Sequence, residues 1–179
     1  MGEIRCLCLD VDGVLTDGRV YIGDDGQPMR AFHIHDGLAI RAFQRMGGTV
    51  VIITGKRSNA VQVRADELGI QYCLQGSEDK LADLLRLLPE IGVELEQVAA
   101  VGDDLPDLPV LRRCGFPIAV ANAVAEVKAA AQLITKRRGG EGAVREAVEH
   151  LLRGDGRWDE IVRGIDRPTI EPSERNQPQ

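Results

Sequence analysis

Aromatic residues make up only 3% of the 179-residue chain, so its core has to be aliphatic, built from Leu, Val, Ile and Ala. Long apolar runs are missing too. The longest are strand-sized, such as "VVII" at 50–53, which excludes a membrane-spanning helix. "MGEIRC" lacks the apolar stretch of a secretory signal and carries Cys6 where a myristoylation motif needs Ser or Thr. Four cysteines occur, Cys6, Cys8, Cys73 and Cys114; none forms C-x-x-C, and no His pair stands beside them at zinc-ligand spacing. Cys6 and Cys8 fall on one face of a predicted strand and read as small buried hydrophobes. A reduced, cytoplasmic setting fits these absences. Positive charge is also short, with 22 basic against 28 acidic residues and a net charge of −6, which argues against nucleic acid or an acidic membrane as partner. A phosphate-bearing substrate would need a locally basic pocket.

What is present is a regular alternation. "IRCLCL" (4–9) reads as a buried strand, followed by "RVYIG" and "MRAFHI" around the turn-rich "DDGQP", a β-hairpin spanning about 19–34. On that reading His33 and His35 share one strand face. "GLAIRAFQRM" (37–46) has helical spacing and stops at Gly47-Gly48. "TVVIIT" (49–54) is a second buried strand, and "SNAVQVRADELG" a helix with Ser58 as N-cap and Gly69 as stop. The pattern continues through "IQYCL", "DKLADLLRLL", "VAAV", "LPVLRRC", "FPIAVA", "AEVKAAA", "QLIT" and "GAVREAVEHLL". Strands alternating with helices of about ten residues predict an α/β fold, a doubly wound (Rossmann-like) parallel sheet with helices on both faces. Its site belongs at the carboxyl ends of the strands. Residues 1–153 form one domain with no visible repeat, and 154–179 read as a polar tail. Within the tail Trp158, Ile161 and Val162 are spaced as on one helical face, either docked on their own domain or reaching a neighbour's site.

The strand ends carry the chemistry. Asp10 and Asp12 follow the first strand, Thr54 and Gly55 the second, Lys80 comes after "CLQGSED", and "GDDLPD" brings Asp103, Asp104 and Asp107. In a parallel sheet these ends gather on one edge, and a carboxylate at the end of a buried strand is costly unless paired. Carboxylates, a hydroxyl and an ammonium together compose a phosphoryl-transfer site. Asp10 serves as nucleophile, forming an aspartyl-phosphate. Asp12 protonates the leaving alkoxide and later deprotonates the attacking water. Mg²⁺ suits hard oxygen ligands from Asp10, the Asp12 backbone carbonyl and Asp103. Thr54 and Lys80 hold the non-bridging phosphate oxygens. Asp104 and Asp107 read as supports of the metal ligands or as helix caps. Asp17 reads as a turn residue.

"DVDGVLTDG", "IITG", Lys80 and "GDDLPD" resemble, in order, the four motifs of the haloacid dehalogenase-like phosphatases. With the hairpin, "HDGLAIR", "QGSEDK", "GDDLPDLPVL", "AVANA" and "GGEGAVRE", residues 4–152 look like the 3-deoxy-D-manno-octulosonate 8-phosphate (KDO 8-phosphate) phosphatase subfamily. That resemblance implies a Mg²⁺-dependent phosphomonoesterase for a phosphorylated 2-keto sugar acid that feeds cell-surface glycan (lipopolysaccharide) synthesis. It also implies a capless domain in a homotetramer whose hairpins cover adjacent sites. Size agrees, since only 18 residues separate Gly18 from Gly37, room for a hairpin but not a cap. Substrate contacts are implied at His33, His35, Asp36, Gly37, Arg41, Gly55, Lys56, Arg64 and Lys80.

The chain departs from the subfamily at His35 and Lys56, where arginines are usual, and Lys lacks the bidentate fork of Arg. A nonulosonate 9-phosphate is therefore the competing substrate. Asn122 stands where relatives often carry Asp, and Gly139–Gly142 reads as a loop beside the site or a plain strand-to-helix turn. Two other classes are weaker. A response-regulator receiver places its phosphoacceptor on a middle strand, and a non-catalytic oligomerisation domain, as in sialic acid cytidylyltransferases, would be free to lose Asp10, Asp12, Thr54, Lys80 and Asp103.

Overall fold

In the computed structural model the described residues are 3–24, 26, 28–154 and 156–165; the rest of the polar tail, 166–179, lies outside them. Strand β1 (Cys6–Leu9) is buried at every position and leads into an arm carrying β2 (Tyr21–Ile22) and β3 (Pro28–Met29), which pair antiparallel. Then come α1 (Ile34–Arg45), β4 (Thr49–Thr54), α2 (Asn59–Leu68), β5 (Tyr72–Gln75) and α3 (Lys80–Ile91). The chain continues with β6 (Val98–Gly102), α4 (Leu108–Leu111), β7 (Phe116–Ala119), α5 (Ala125–Ala130), β8 (Leu133–Ile134), α6 (Ala143–Arg153) and α7 (Arg157–Ile165).

Six strands form one parallel sheet in the order β5-β4-β1-β6-β7-β8. The chain winds outward from β1 to β4 and β5, then crosses back to β6 on the other side of β1. Right-handed crossovers put the helices of the two windings on opposite faces. The packing agrees: α1 contacts α2 and α6, whereas α4 contacts α3 and α5. The order reverses at β1, so a crevice opens beyond the ends of β1 and β6, the position where such sheets bind ligands. The doubly wound α/β fold expected from the alternation is the observed one.

The core is aliphatic as the composition requires, with Phe43 its largest fully buried side chain. Cys6, Cys8 and Cys114 are buried free thiols, and burial pushes Cys6 up to about 12 and Cys114 to about 11. No helix among the described residues is long and apolar enough to cross a membrane.

One local expectation needs correction, and one open reading of the tail is decided. Helix α1 begins at Ile34, not at Gly37, so His33 and His35 do not share a strand face. His33 is the N-cap, its Nδ1 accepting the His35 N–H at 3.2 Å. Asp36-Gly37 resembles a helix breaker, yet Asp36 in the first turn complements the positive end of the helix. The helical face expected around Trp158 in the tail is α7, and it docks on α6 of its own domain. Trp158 is buried there with the guanidinium of Arg145 4.5 Å from its ring centroid, and Ile161 is buried beside it, while Val162 stays exposed.

Candidate active site

Asp10 is the first residue after β1 and is 9% exposed. Its position follows from the ladder, because Leu9 pairs with Ile52 on one side and Val101 on the other, which brings Thr54 and Asp103 to the same edge. The loop after Asp10 is held by Thr16, whose hydroxyl accepts the N–H groups of Gly13 and Gly18 and donates to the Val11 carbonyl. Gly13 has φ +106°, and a Cβ there would stand 2.0 Å from Asp103 Oδ2. Only glycine lets the β6 carboxylate close over this loop.

Lys80, the first residue of α3, donates to Asp10 Oδ1 and Asp107 Oδ1 at 2.6 Å each. An ammonium at the positive end of a helix is unfavourable by itself, and burial also opposes its charge. The two carboxylates outweigh both effects and hold its pKa above the ordinary lysine range. Asp107 Oδ2 accepts the N–H of Asp103 at 2.9 Å and of Asp104 at 3.3 Å. Both oxygens of Asp107 are thus engaged within the chain, whereas Asp103 is in no ion pair among the described residues. Asp104 caps the turn that follows, accepting from Leu105 N–H.

Oxygens of Asp10, Asp103 and Asp107 lie within 4.8 Å of one another. Burial, then repulsion by Asp107, raises Asp10 to about 6 despite Lys80. Burial and the neighbouring carboxylates of Asp10 and Asp107 raise Asp103 to about 7. Three carboxylates face one ammonium, an excess of negative charge that a hard divalent cation would offset. The open carboxylate of Asp103 and the second oxygen of Asp10 provide the oxygen donors for it.

Asp12 points to the other cations. Arg30, from the foot of the arm, meets both its oxygens at 3.0 and 3.4 Å, and Lys56 Nζ lies 3.6 Å from Oδ2. Thr54, Gly55 and Lys56 line the cleft of about 790 Å³ that holds Asp10, Asp12, Lys80 and Asp103, together with Ser77 and Arg113. Sequence reasoning passed over Arg30, Ser77 and Arg113. Ser77 could have been found in "QGSEDK", but nothing local distinguishes Arg30 from any other arm residue.

The remaining expected substrate contacts do not line this cleft. His35 faces a separate crevice with Lys136, Arg137 and Arg145. Asp36 is buried and accepts the Arg145 N–H at 2.7 Å, joining α1 to α6; its other oxygen has no partner, and burial raises its pKa. Gly37 lies against Arg64, which pairs with Glu67 at 2.8 Å and reaches the His33 carbonyl. Arg41 donates to the Glu67 carbonyl. Asp17 accepts from Arg19 N–H and Tyr21 O–H, as a turn residue would.

Gly139–Gly142 packs directly on the nucleophile loop, with Gly140 N–H donating to the Val14 carbonyl at 3.1 Å. A Cβ on Gly139 would overlap the Gly13 carbonyl at 1.7 Å. Asn122 joins the same loops, donating to the Gly13 carbonyl at 3.5 Å and accepting the Gly139 N–H at 2.7 Å. A carboxylate could accept but not donate, so the amide serves both ends.

Fold and site, a doubly wound sheet with acids and a lysine gathered at its switch point, are those of a hydrolase class: a family model described as haloacid dehalogenase-like hydrolase matches residues 74–147. The chain is 43% identical over 158 residues to 3-deoxy-D-manno-octulosonate 8-phosphate phosphatase KdsC of Escherichia coli K12, covering 88% of this chain and 84% of that protein. The crystal structure of 3-deoxy-D-manno-octulosonate 8-phosphate phosphatase from Moraxella catarrhalis, in complex with magnesium, phosphate and KDO, has a TM-score of 0.88 at 40% identity and covers 91% of this chain and 94% of its own. The cobalt-bound phosphatase from Haemophilus influenzae has a TM-score of 0.83 at 36% identity, with 86% and 90% covered. The chain belongs to the KDO 8-phosphate phosphatase family of haloacid dehalogenase-like hydrolases.

Proposed function

We propose that this protein is a Mg²⁺-dependent phosphomonoesterase that hydrolyses KDO 8-phosphate to KDO and phosphate. The observation that carries this reading is Asp10, held by Lys80 at the sheet's switch point with Asp103 beside it. The similarity to a phosphatase solved with magnesium, phosphate and KDO adds to it. Asp10 attacks phosphorus, and Asp12 gives its proton to the departing sugar oxygen. Water then attacks the aspartyl-phosphate, Asp12 takes up its proton, and Asp10 is restored. Lys80 and Thr54 orient the non-bridging oxygens, Lys80 with its charge fixed by Asp107. Mg²⁺ held by Asp10, the Asp12 carbonyl and Asp103 would offset the negative charge of nucleophile and phosphate.

Capping by a neighbour in a homotetramer belongs to the same proposal. The arm exposes Val20, Ile22 and Met29, each more than 60% accessible. The cleft is open, and His33, His35, Arg41 and Arg64 face other surfaces than the chain's own cleft. A neighbour's arm would exclude stray water from the intermediate. A cytoplasmic setting suits the four free thiols.

Phosphate release with Mg²⁺ from KDO 8-phosphate, two nonulosonate 9-phosphates and hexose phosphates tests this, with Asp10→Asn as control. Preference for KDO 8-phosphate is expected. Preference for a nine-carbon acid would assign Lys56 and His35 to a re-tuned pocket, and no release from any would return the chain to a non-catalytic role.

A further inference from the structure

Arg30 follows β3 at the foot of an exposed arm, yet its own side chain is only 10% exposed. An arginine is rarely buried that far without a paired group that requires it. Here the pair is complete. Nε lies 3.0 Å from Asp12 Oδ1, Nη2 3.4 Å from Oδ2, and Nη1 donates to Ser58 Oγ at 2.8 Å. Ser58 is fixed in turn, its N–H donating to Gln75 Oε1 at 2.7 Å. The Ser58 hydroxyl makes no capping bond to α2, so it is available to hold the guanidinium. A guanidinium is planar and rigid, and three contacts on its edges fix the plane of the carboxylate that it meets. Lys56, the other cation at Asp12, has a side chain 63% exposed and makes a single 3.6 Å contact, which fixes no orientation.

We propose that Arg30 is a positioning residue for the phosphatase reaction: anchored on Ser58, it holds the Asp12 carboxyl in the orientation from which a proton passes to the leaving oxygen and back from water. This rests on the function proposed above. In the first step the bond from Asp10 to phosphorus forms, the ester P–O bond breaks, and the proton on Asp12 goes to the departing oxygen. In the second the water oxygen bonds phosphorus, its proton goes to Asp12, and the bond to Asp10 breaks. Arg30 donates nothing in either step. Its contribution is that Asp12 stays aimed along the line of displacement, where a small misplacement costs rate. Because Arg30 belongs to the arm, the arm's foot sets the geometry of its own subunit's proton transfer.

The test separates proton transfer from substrate recognition. Phenyl phosphate and p-nitrophenyl phosphate share ring and phosphate and lack a carboxylate, but only the phenyl ester has a leaving oxygen that strongly needs a proton. With the full chain and Mg²⁺, Arg30→Ala is expected to lower kcat/KM for phenyl phosphate by about tenfold and for p-nitrophenyl phosphate by no more than about twofold. Arg30→Lys keeps the charge without the fork and should fall between wild type and Arg30→Ala. Ser58→Ala removes only the anchor, keeps the arm's own side chains, and should show the same selectivity at smaller size. Equal losses on both esters in Arg30→Ala and Ser58→Ala, or no loss, would overturn the proposal. A wild-type protein that cleaves the aryl esters but not KDO 8-phosphate would reject the substrate and leave the role of Arg30 to be judged by the variants.

Discussion

At what we propose is the phosphoryl end of the cleft, Asp10, Asp103 and Lys80 stand on strand ends and a helix start, buried or half-buried; Lys80 is bonded to Asp10 and Asp107, and Asp103 brings an oxygen within 4.8 Å of theirs. At the sugar end, Lys56 is exposed and singly paired, while His35, Arg41 and Arg64 are scattered over other surfaces of the same chain. The first region is preorganised because charge in the transition state is stabilised only by groups already in place. The second is loose because an exposed lysine meeting Asp12 through one contact fixes no geometry. Ion pairing is tight at the strand ends and slack in the loop after β4.

The largest effect should come from the phosphoryl end. Asp10→Asn is expected to lower phosphate release by about 10⁴-fold or more while melting stays close to wild type, since the amide still meets Lys80. Comparable activity in the variant would break the contrast outright.

Lys80→Met removes the one cation that, among the described residues, pairs with Asp10 and Asp107, and leaves these buried carboxylates without an ion-pair partner. The expected loss is about 3 kcal/mol of stability with turnover lowered by at least about a hundredfold, read by denaturant unfolding and initial rates. Wild-type stability with lost turnover would confine Lys80 to substrate binding.

A third effect is pH-dependent. Asp10 and Asp103, raised to about 6 and about 7 in the folded state, bind more protons than unfolded carboxylates near about 3.9. Their contribution to stability therefore falls as pH rises from about 4 to about 7. Mg²⁺ should offset this loss, so it should raise the melting temperature more at about pH 7.5 than at about pH 5.5. An equal rise at both would separate metal binding from these carboxyls.

At the sugar end, Lys56→Arg should lower KM for KDO 8-phosphate a few-fold by restoring the bidentate fork, with phenyl phosphate unchanged. A matching shift on both substrates would move Lys56 into the phosphoryl set. Smallest of all, Asn122→Ala removes the two bonds by which its amide bridges the Gly13 and Gly139 loops and should cost about 1 kcal/mol, measured by chemical unfolding. No change would make that link redundant with the Gly140–Val14 bond.

Much of this was legible beforehand. The strands ending at Leu9, Thr54 and Gly102 were marked by continuous apolar runs, and Asp10, Thr54 and Asp103 stood out at their ends. Ser58 and Gly69 marked the two ends of α2, although the Ser58 hydroxyl serves Arg30 and not the helix. The start of α1 was not legible, because Asp36-Gly37 resembles a breaker and the Asp36 bond to Arg145, 109 residues away, is invisible locally. α7 was legible as a helical face of Trp158, Ile161 and Val162, but only the structure shows that it docks on its own α6.

The sequence by itself determined which side chains reach this edge, because parallel strands bring successive carboxyl ends together and Asp10, Thr54 and Asp103 stand within two residues of an apolar run. Tertiary structure alone decided which cation meets which acid. Lys80 could have served Asp103, and nothing local sends Arg30 to Asp12 across 18 residues. Those pairings depend on the path of the arm and the entry of α3, where a difference of a few ångströms selects the partner and no residue pattern encodes it.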